Sequence, residues 1–385
     1  MRILVFSWRD PKHPLAGGAE QVMHQHMRGW TGAGHRVTLF SSKIPELKFT
    51  EFIEGIKIVR RGNQYLGVQI AAFIFYLREK NNFDLIIDQF HGLPFFTPLY
   101  SRKPKIAVIQ ETARKVWFLN PFPPPVNLLI GIIGFIAEPF FFLFYKKTYF
   151  ATGSESAKID VSKMGIPLQN ITVWPHGVII PKLQSNKQKE KRKTICFLGV
   201  LSKDKGVLDA IKCFSVLSKK DEGYQFWIIG KPETEQFGLM IKKLIKKLQL
   251  EKKIKLWGFV SQNKKFELLR RSHVLINPSA REGWGLVNIE ANAMGVPVVS
   301  YKAAGLVDSV KNNYSGLFCR ENTYVEMANL VDRLLRNNSK YLKLCKTAIL
   351  WSKKFNWENS VKISINSINK VAGVLSYSKP DDKKI

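Results

Sequence analysis

The sequence predicts an α/β protein with two doubly wound parallel sheets, one in each half of the 385-residue chain, and a cleft between them. Three observations lead to this prediction. Short unbroken apolar runs, typical of strands that are buried on both faces, recur along the chain. Segments with helix signals alternate with these runs. The alternation occurs twice, before and after a polar and strongly basic interval at residues 182–193.

The first half begins with a strand–loop–helix–strand unit. Residues 3–6 are predicted as a strand, a loop with Gly17 and Gly18 opens a helix over about 20–30, and residues 37–40 form the next strand. Further buried strands are predicted at residues 85–87, 106–109 and 149–154.

The second half repeats this alternation after the basic interval. Strands are predicted at residues 194–198, 226–229, 254–256, 274–276 and 296–300, and helices at residues 207–217, 236–248 and 286–293. The helix at 236–248 is rich in lysine, which indicates a solvated face or a membrane-binding one.

The formal net charge of +30 at pH 7 favours anionic partners: nucleic acid, an acidic membrane surface or phosphorylated substrates. The alternative is that the charge serves solubility alone. No nucleic-acid-binding motif accompanies the charge, so no nucleic-acid partner is predicted. The four cysteines form no C-x-x-C pair, which argues against a zinc site and is typical of an intracellular protein. No signal-peptide pattern precedes the first strand.

Residues 126–145 are mostly apolar and long enough to span a bilayer. Asn127, Glu138 and Pro139 interrupt the segment, and a charge at membrane depth is costly. Spanning would also divide the first sheet, because strands lie on both sides of the segment. Two interpretations stay open: a helix packed in the core, and a helix that dips into one leaflet. Its aromatic residues and the basic residues that follow favour the second.

The stretch REGWGLVNIE, residues 281–290, directly follows the predicted strand at 274–276. Ligands of open parallel sheets bind beyond the carboxyl ends of the strands, so this loop is expected to face a ligand. Gly283 and Gly285 allow close backbone approach. The helix that begins near Leu286 offers free N–H groups and a positive dipole end to phosphate or hydroxyl groups.

Glu282 and Glu290 lie at different depths of this predicted pocket. Each carboxylate can accept hydrogen bonds from vicinal hydroxyls, which a sugar and a ribose both present. The alternative is that both are surface glutamates, with Glu290 complementing the helix dipole.

The run EGWGLVNIEANAMGVPVVSYKAAGLVDSV at 282–310 resembles the signature of retaining glycosyltransferases of family 4, which have two Rossmann-like domains, the GT-B fold. Other motifs resemble further parts of that family in the same order. They are AGGAE at 16–20, GHRVTLF at 34–40, DQFHGLPFFTPLY at 88–100, TGSES at 152–156, PHGV at 175–178 and FNWE at 355–358. The resemblance therefore extends over nearly the whole chain.

With this resemblance the predicted organisation has five parts. They are a first Rossmann-like domain on the acceptor side (1–181), the basic linker (182–193), a second Rossmann-like domain that binds the nucleotide sugar (194–354), a C-terminal helix that packs back on the first domain (355–373) and a polar tail (374–385).

The resemblance implies that Glu290 holds the ribose hydroxyls and that Glu282 holds hydroxyls of the transferred sugar. Lys205 and nearby backbone amides would face the diphosphate, where cationic and N–H donors meet the charge of the leaving group. The base would lie near residues 258–260. The predicted donor-binding set is Gly17, Gly18, Lys203, Lys205, Gly258, Phe259, Val260, Glu282, Gly283, Trp284, Gly285, Leu286, Glu290 and Gly305.

The chain departs from the family pattern at three places, one of which is Lys231-Pro232, where the family usually has a second glycine after Gly230. Val200 stands where the family usually has an arginine, and Lys203 offers a point charge instead of a planar fork. Gln110 and Glu111 follow a first-half strand where many relatives carry a histidine, and His91 could supply an imidazole. The predicted catalytic residues are Glu282, His91 and Glu111.

The implied function is transfer of a sugar, with retention of anomeric configuration, to a lipid-linked or polysaccharide acceptor in cell-surface glycan synthesis. Neither a metal nor another cofactor is expected. The charge and residues 126–145 indicate a peripheral position at the cytoplasmic membrane face. The alternative is a nucleotide-sugar-binding protein with little or no turnover. The acceptor is expected at variable loops, at about 8–16, 60–75 and 88–125.

Overall fold

The computed structural model describes residues 1–14, 16–64, 66–90, 92–120, 123–181, 188–280 and 282–373. The chain divides into two compact units. One comprises Met1–His176 with the segment from Trp357 onward, and the other comprises Gly177–Asn356.

The strands and helices alternate along both units. The strands are β1 (Arg2–Phe6), β2 (Arg36–Ser41), β3 (Thr50–Ile53), β4 (Ile56–Arg60), β5 (Leu85–Gln89), β6 (Lys105–Val108), β7 (Tyr149–Thr152), β8 (Ile171–Val173), β9 (Lys193–Leu198), β10 (Tyr224–Ile229), β11 (Ile254–Gly258), β12 (Val274–Asn277), β13 (Val298–Ser300) and β14 (Gly316–Phe318). The helices are α1 (Gly18–Gly32), α2 (Gly67–Glu79), α3 (Thr97–Tyr100), α4 (Val126–Phe144), α5 (Glu155–Ser162), α6 (Val207–Lys220), α7 (Glu235–Lys247), α8 (Gln262–Arg271), α9 (Leu286–Ala293), α10 (Leu306–Ser309), α11 (Tyr324–Arg336), α12 (Asn338–Ser352) and α13 (Trp357–Val371). Short 3₁₀ segments cover Lys80–Asn82, Arg114–Leu119 and Leu168–Asn170.

Each unit contains one doubly wound sheet, which confirms the predicted fold class. The sheet of the second unit has the order β11-β10-β9-β12-β13-β14, and its strands pair in parallel. The sheet of the first unit has the order β3-β4-β2-β1-β5-β6-β7-β8. The strand order reverses between β1 and β5 in the first unit and between β9 and β12 in the second. Loops diverge at such switch points, and ligands bind there.

The first sheet differs from the prediction at one edge. β3 pairs with β4 in antiparallel register, so this sheet is not purely parallel. A two-residue turn joins the strands, with Glu54 at φ 49° and Gly55 at φ 81°. Positive φ at both positions is the requirement of a tight hairpin turn, and the glycine meets it without strain. The predicted loop at 60–75 was also wrong in part, because α2 begins at Gly67.

Alternating side chains of β1 enter the two cores of the first unit. Ile3 and Val5 pack on the side of α1 and α13, whereas Leu4 and Phe6 pack on the side of α2. All four are fully buried. This alternation follows from the period of two in a strand, and each such side chain contributes about 1.5–3 kcal/mol of burial free energy.

Helix α13 completes the first unit by packing on α1. The Trp30 indole donates to Ser364 Oγ at 2.9 Å, and His26 Nδ1 lies 3.1 Å from the same oxygen. The Trp174 indole donates to Ser367 Oγ at 3.1 Å. The two indoles and His26 Nδ1 therefore have hydrogen-bond partners on α13.

Two buried histidines make the stability of the first unit depend on pH. Burial lowers the pKa of both His26 and His176 to about 3. At His26, electrostatic repulsion from the His176 ring lowers the pKa further in the same direction. In the unfolded chain both imidazoles become protonated near pH 6.5, whereas in the folded chain they stay neutral until about pH 3. The stabilisation is therefore complete above about pH 6.5 and is lost, at up to ~1.4 kcal/mol per pH unit for each ring, as the pH falls toward 3.

We expect the urea midpoint of unfolding to be lower at pH 5 than at pH 7. In His26→Gln this difference between the two midpoints should be smaller. Urea titrations at both pH values measure it, with the half-buried His35 replaced by glutamine as the comparison. If the urea midpoint changed equally with pH in wild type and in His26→Gln, His26 would not be a source of the pH dependence.

The predicted linker is only partly an exposed segment. Residues 182–187 lie outside the described residues, and Lys193 already belongs to β9. Arg271 Nε donates to Glu190 Oε1 at 2.6 Å, and Lys189 Nζ donates to the Ser272 carbonyl. Burial lowers the pKa of Lys189 to about 8. The last residues of this basic interval therefore pack on the second unit, because their charged ends find partners at the end of α8.

Candidate functional site

The switch point of the second sheet brings two loops together. One follows β9 and leads through Lys205 and Gly206 into α6, and the other follows β12. The Ala280 amide donates to the Asp204 carbonyl at 2.9 Å, and Ser279 Oγ donates to the same oxygen at 3.3 Å. The two loops are therefore fixed to each other at the carboxyl ends of neighbouring strands, where this fold binds ligands.

Gly206 is required by the close approach of these loops. Its φ is 73°, and a Cβ there would lie 2.2 Å from the Pro278 carbonyl oxygen. A side chain would force the loops apart and would strain the backbone as well. The sequence G-V-L-S-K-D-K-G thus places Lys205 directly before the N-terminus of α6.

Lys205 and Glu282 form an ion pair across the two loops. Lys205 Nζ lies 2.9 Å from Glu282 Oε2, and both side chains are largely but not fully buried. Asp204 is a second carboxylate near this ammonium, at 4.0 Å. The Glu282 amide donates to the Ala304 carbonyl at 3.2 Å, which fixes its backbone. A cation and a hydrogen-bond acceptor thus lie together at the switch point.

Gly305 holds a third loop against Glu282. Its φ is 75°, and a Cβ there would lie 1.9 Å from the Glu282 carbonyl oxygen. Only glycine allows this approach without displacing one of the loops. Gly305 therefore lies directly against the Glu282 backbone, and its role in donor binding stays a prediction.

The loop of Gly283, Trp284 and Gly285 leads into α9. Gly285 precedes the helix with φ 83°, and its added Cβ would crowd Asn288 Nδ2 and Ser309 Oγ at 2.9 Å each. Trp284 is buried, and its ring contacts Phe355.

A buried amide network fixes the start of α9. Asn277 Nδ2 donates to Asn288 Oδ1, and Asn288 Nδ2 donates to Ser309 Oγ, both at 2.9 Å. All three side chains are buried. The network holds the end of β12 to the first turn of α9. Leu286 and its neighbours therefore present their amides in a fixed direction, as an anion or hydroxyl site needs.

Glu290 lies on the second turn of α9 and is paired with Lys265 of α8. Burial raises the pKa of Glu290, and the Lys265 ammonium opposes that shift. Lys265 was not predicted as a site residue, because nothing in its local sequence distinguishes it from the many other lysines of the chain.

The remaining predicted donor-side residues of the second unit lie at loop ends. Gly258 ends β11 with φ 67°, and its carbonyl accepts from the Gly230 amide at 2.9 Å. Phe259 follows with 82% of its side-chain surface exposed, and Val260 packs partly against the core. Lys203 is exposed.

Two predicted residues of the first unit lie at the start of α1. Gly17 is the N-cap of the helix, and its amide donates to Glu20 Oε2 at 2.7 Å. A Cβ on Gly18 would meet nothing within 4 Å. The amide of the N-cap residue Gly17 therefore has an internal partner, whereas the space beside Gly18 is open.

The predicted catalytic residues of the first unit follow β5 and β6. His91 lies outside the described residues. Glu111 is half-buried and stands three residues after β6, next to the buried Gln110. A Cβ on Gly153 would lie 2.7 Å from Gln110 Oε1 and 2.5 Å from His176 Nε2. Gln110 and the neutral His176 imidazole therefore converge on one glycine, a proximity that no sequence pattern indicated.

Among the described residues, no group of three or more histidine, cysteine, aspartate or glutamate side chains is arranged to hold a metal ion.

The fold defines a two-unit α/β protein, and its second unit has a candidate ligand site at the switch point of the sheet. Residues 16–180 match the family model "Glycosyltransferase Family 4", and residues 180–351 match the family model "Glycosyl transferases group 1". The chain belongs to the group 1 glycosyltransferases of family 4, as the sequence motifs predict.

Solved structures share the fold over nearly the whole chain. Sucrose-phosphate synthase from Thermosynechococcus elongatus is 16% identical with a TM-score of 0.78, and the match covers 97% of this chain and all of that one. Anabaena HepE in complex with UDP and glucose is 17% identical with a TM-score of 0.71, covering 96% and 100%. These similarities establish the GT-B fold.

Curated relatives match over shorter segments. The capsular polysaccharide biosynthesis glycosyltransferase CapM of Staphylococcus aureus is 27% identical over 210 residues, which cover 48% of this chain and 52% of CapM. The chain spans about half the length of the curated relatives it matches.

Proposed function

We propose that this chain is a retaining glycosyltransferase that moves a sugar from a nucleotide-sugar donor to a lipid-linked or polysaccharide acceptor in cell-surface glycan synthesis. The observation that carries the proposal is the Lys205–Glu282 pair at the switch point of the second unit. A nucleotide sugar presents an anionic diphosphate beside sugar hydroxyls. Lys205 matches the first of these groups and Glu282 matches the second.

Donor binding would separate the present ion pairs. The diphosphate would replace the Glu282 carboxylate as the partner of Lys205, with Lys203 as a second cation, and Glu282 would then accept from the sugar hydroxyls. Glu290 would accept from the ribose hydroxyls, and the backbone of residues 258–260 would lie near the base. Replacement of one ionic partner by another costs less than desolvating an unpaired group.

The reaction breaks the bond between the anomeric carbon and the diphosphate oxygen. The acceptor oxygen bonds to that carbon on the same face, and its proton passes to the leaving phosphate. Lys205 and the backbone amides stabilise the negative charge that develops on the leaving group, so no metal is required in this proposal. Glu111 and His91 are the proposed catalytic residues of the first unit.

Three observations support the proposed acceptor and location. The name of the CapM relative describes polysaccharide synthesis. The net charge of +30 suits anionic surfaces. Among the described residues, α4 is long and apolar enough, by length and composition alone, to cross a membrane. We propose a peripheral position at the cytoplasmic face of the membrane.

The second candidate function is nucleotide-sugar binding without turnover. It rests on Val200, which is exposed at the loop position where the family usually has an arginine. Loss of this arginine removes one cationic contact to the diphosphate, and Lys203 replaces it only as a point charge.

Release of nucleoside diphosphate tests the proposal. The purified chain is incubated with UDP-, GDP-, ADP- and TDP-sugars, with and without detergent-solubilised membrane lipids, beside Glu282→Ala. We expect release from one donor, stimulation by lipid, and a loss of about 10²-fold or more in the variant.

Glu251→Ala, an exposed glutamate of the same unit, is the matched control and should keep full activity. No release from any donor, together with donor binding by calorimetry, would favour the binding protein. Equal activity of Glu282→Ala and wild type would contradict the assigned site.

A further inference from the structure

Helix α4 presents two different faces. Its buried residues, Gly131, Gly134, Glu138 and Phe142, recur every three or four positions and form one stripe. A Cβ on Gly134 would lie 2.2 Å from the Trp117 ring, so this stripe packs closely on the first unit. The opposite face is apolar and exposed, and six of its side chains are Leu128, Leu129, Ile132, Ile133, Ile136 and Phe140. The core-packed interpretation of 126–145 therefore explains only one face.

Contact between the exposed face of α4 and a membrane would not bury the Glu138 carboxylate in lipid, because this side chain lies on the opposite, protein-facing side of the helix. It is buried, and its two carboxylate oxygens accept from the amides of Ala113 and Arg114 at 2.6 Å each. The one charge within α4 is thus satisfied inside the protein.

Helix α2 repeats this arrangement. Val68, Ala72 and Tyr76 face the core at spacings of four residues. The outer face carries exposed apolar side chains, Ile70, Phe73, Ile74 and Leu77. A surface helix normally places polar residues outward, so this face is also unusual for a protein surface.

The short helix α3 joins the two exposed faces. The Tyr100 ring lies 5.1 Å from the Phe73 ring of α2. The Phe96 ring, just before α3, lies 5.5 Å from the Phe141 ring of α4. Leu99 between them is 61% exposed. The exposed faces of α2, α3 and α4 thus form one apolar surface, which we call the docking surface.

Basic side chains flank the docking surface. Exposed arginines and lysines stand at the C-terminal end of each helix. They are Arg78 in the last turn of α2, Lys80 after α2, Arg102 after α3, and Lys146 and Lys147 after α4. The acidic residues of the same segments are Glu79, which accepts from Asn82, and the buried Glu138. An apolar surface with a cationic border matches the acyl region and the anionic headgroups of a bilayer.

Both ends of α4 connect to the same sheet. The helix lies between β6 and β7, which are neighbouring parallel strands. A helix that crossed the bilayer would separate these strands, whereas a helix lying in the interface keeps them paired.

We propose that the docking surface binds an anionic lipid bilayer, with α2 and α4 lying in the interfacial plane. The exposed apolar side chains enter the acyl region, and the five basic side chains contact headgroup phosphates. The inference rests on the proposed function for its purpose, because it holds the first unit at a membrane that carries a lipid-linked acceptor. It extends the predicted membrane segment to α2 and α3.

Co-sedimentation of the full chain with vesicles tests this inference. Phosphatidylcholine vesicles with and without about 30% phosphatidylglycerol are compared at two salt concentrations. We expect binding that needs the anionic lipid, and a loss of about tenfold or more in Ile70→Ser/Ile74→Ser and, separately, in Ile133→Ser/Ile136→Ser. Arg102→Ala/Lys146→Ala/Lys147→Ala should lose most of the dependence on anionic lipid.

The control is Leu239→Ser/Met240→Ser on α7, a lysine-rich helix of the second unit that also exposes apolar side chains. It should bind vesicles like wild type, and circular dichroism verifies that each variant is folded. The inference would be overturned by absent vesicle binding, by binding lost only in the α7 control, or by a dimer in light scattering that the α2 or α4 variants dissociate. Because no donor is present, failure here is distinct from failure of the sugar-transfer assay.

Discussion

Replacing Lys205 by alanine is expected to lower kcat/KM for nucleoside diphosphate release by about 10²–10³-fold. Lys205 is the cation paired with Glu282 at the switch point of the second unit, and the diphosphate would become its partner when donor binds. Its removal takes away stabilisation of the leaving-group charge and leaves the Glu282 carboxylate next to that charge. Steady-state kinetics with the preferred donor measure the effect.

Two further variants define what the Lys205 result means. Lys205→Arg should recover only part of the loss, because a planar guanidinium does not reproduce a compact ammonium at a fixed distance. Lys219→Ala, at an exposed lysine near the end of α6, is the matched control and should retain wild-type kinetics. If kcat/KM decreased by less than about threefold in Lys205→Ala, the proposed contact between Lys205 and the diphosphate would be wrong.

Replacing Arg60 by methionine is expected to destabilise the first unit by about 3–5 kcal/mol. Arg60 and Asp10 are fully buried, and Arg60 donates to both Asp10 oxygens, at 2.6 and 3.1 Å. Arg60 Nη1 also lies 2.6 Å from Glu51 Oε1. Methionine would leave the Asp10 carboxylate buried without its cation. The free energy of unfolding from urea titrations measures this loss.

The double variant Asp10→Leu/Arg60→Met is the matched comparison. Removing both charges together leaves neither group unpaired, so stability should recover by at least about 2 kcal/mol. A loss below about 1 kcal/mol in Arg60→Met alone would mean that water solvates Asp10. Since Asp10 also accepts from the Lys12 amide at 2.9 Å, the single variant should release the loop after β1 as well.

The helices and strands that were predicted in the second unit lie close to the observed ones. Helix α9 extends over 286–293 in the sequence prediction and in the structure. Gly285 and Gly295 flank it with φ of 83° and 67°, so both ends are marked in the sequence. Its strands are buried on both faces, so they appear in the sequence as short unbroken apolar runs.

Elements were missed in both units, among them α2 and the β3–β4 hairpin of the first and α8, α11, α12 and β14 of the second. The two misses in the first unit have an identifiable cause. Helix α2 is apolar on its exposed face as well as on its buried one, so it lacks the amphipathic period that identifies a helix. The β3–β4 hairpin has few buried residues on its edge strand, and edge strands give a weak signal. Both misses have the same cause, because the sequence pattern reports burial and these segments are largely exposed.

The sequence indicated candidate site residues but not the contacts between them. Motifs indicated Lys205, Glu282 and Glu290, yet the Lys205–Glu282 contact spans 77 positions of sequence. The partner of Glu290 is one lysine in a chain with 60 lysines and arginines, and no local pattern selects it. Such pairings depend on strand order, which brings the ends of β9 and β12 together.

Calorimetric titration of two ligands tests the central claim most directly, namely that Glu282 holds the sugar and Glu290 holds the nucleotide. The preferred nucleotide sugar and its free nucleoside diphosphate are each titrated into wild type, Glu282→Gln and Glu290→Gln. Glu290→Gln should weaken both ligands by about tenfold, whereas Glu282→Gln should weaken only the nucleotide sugar. Equal losses for both ligands in Glu282→Gln, or unchanged binding in both variants, would contradict this account of the site.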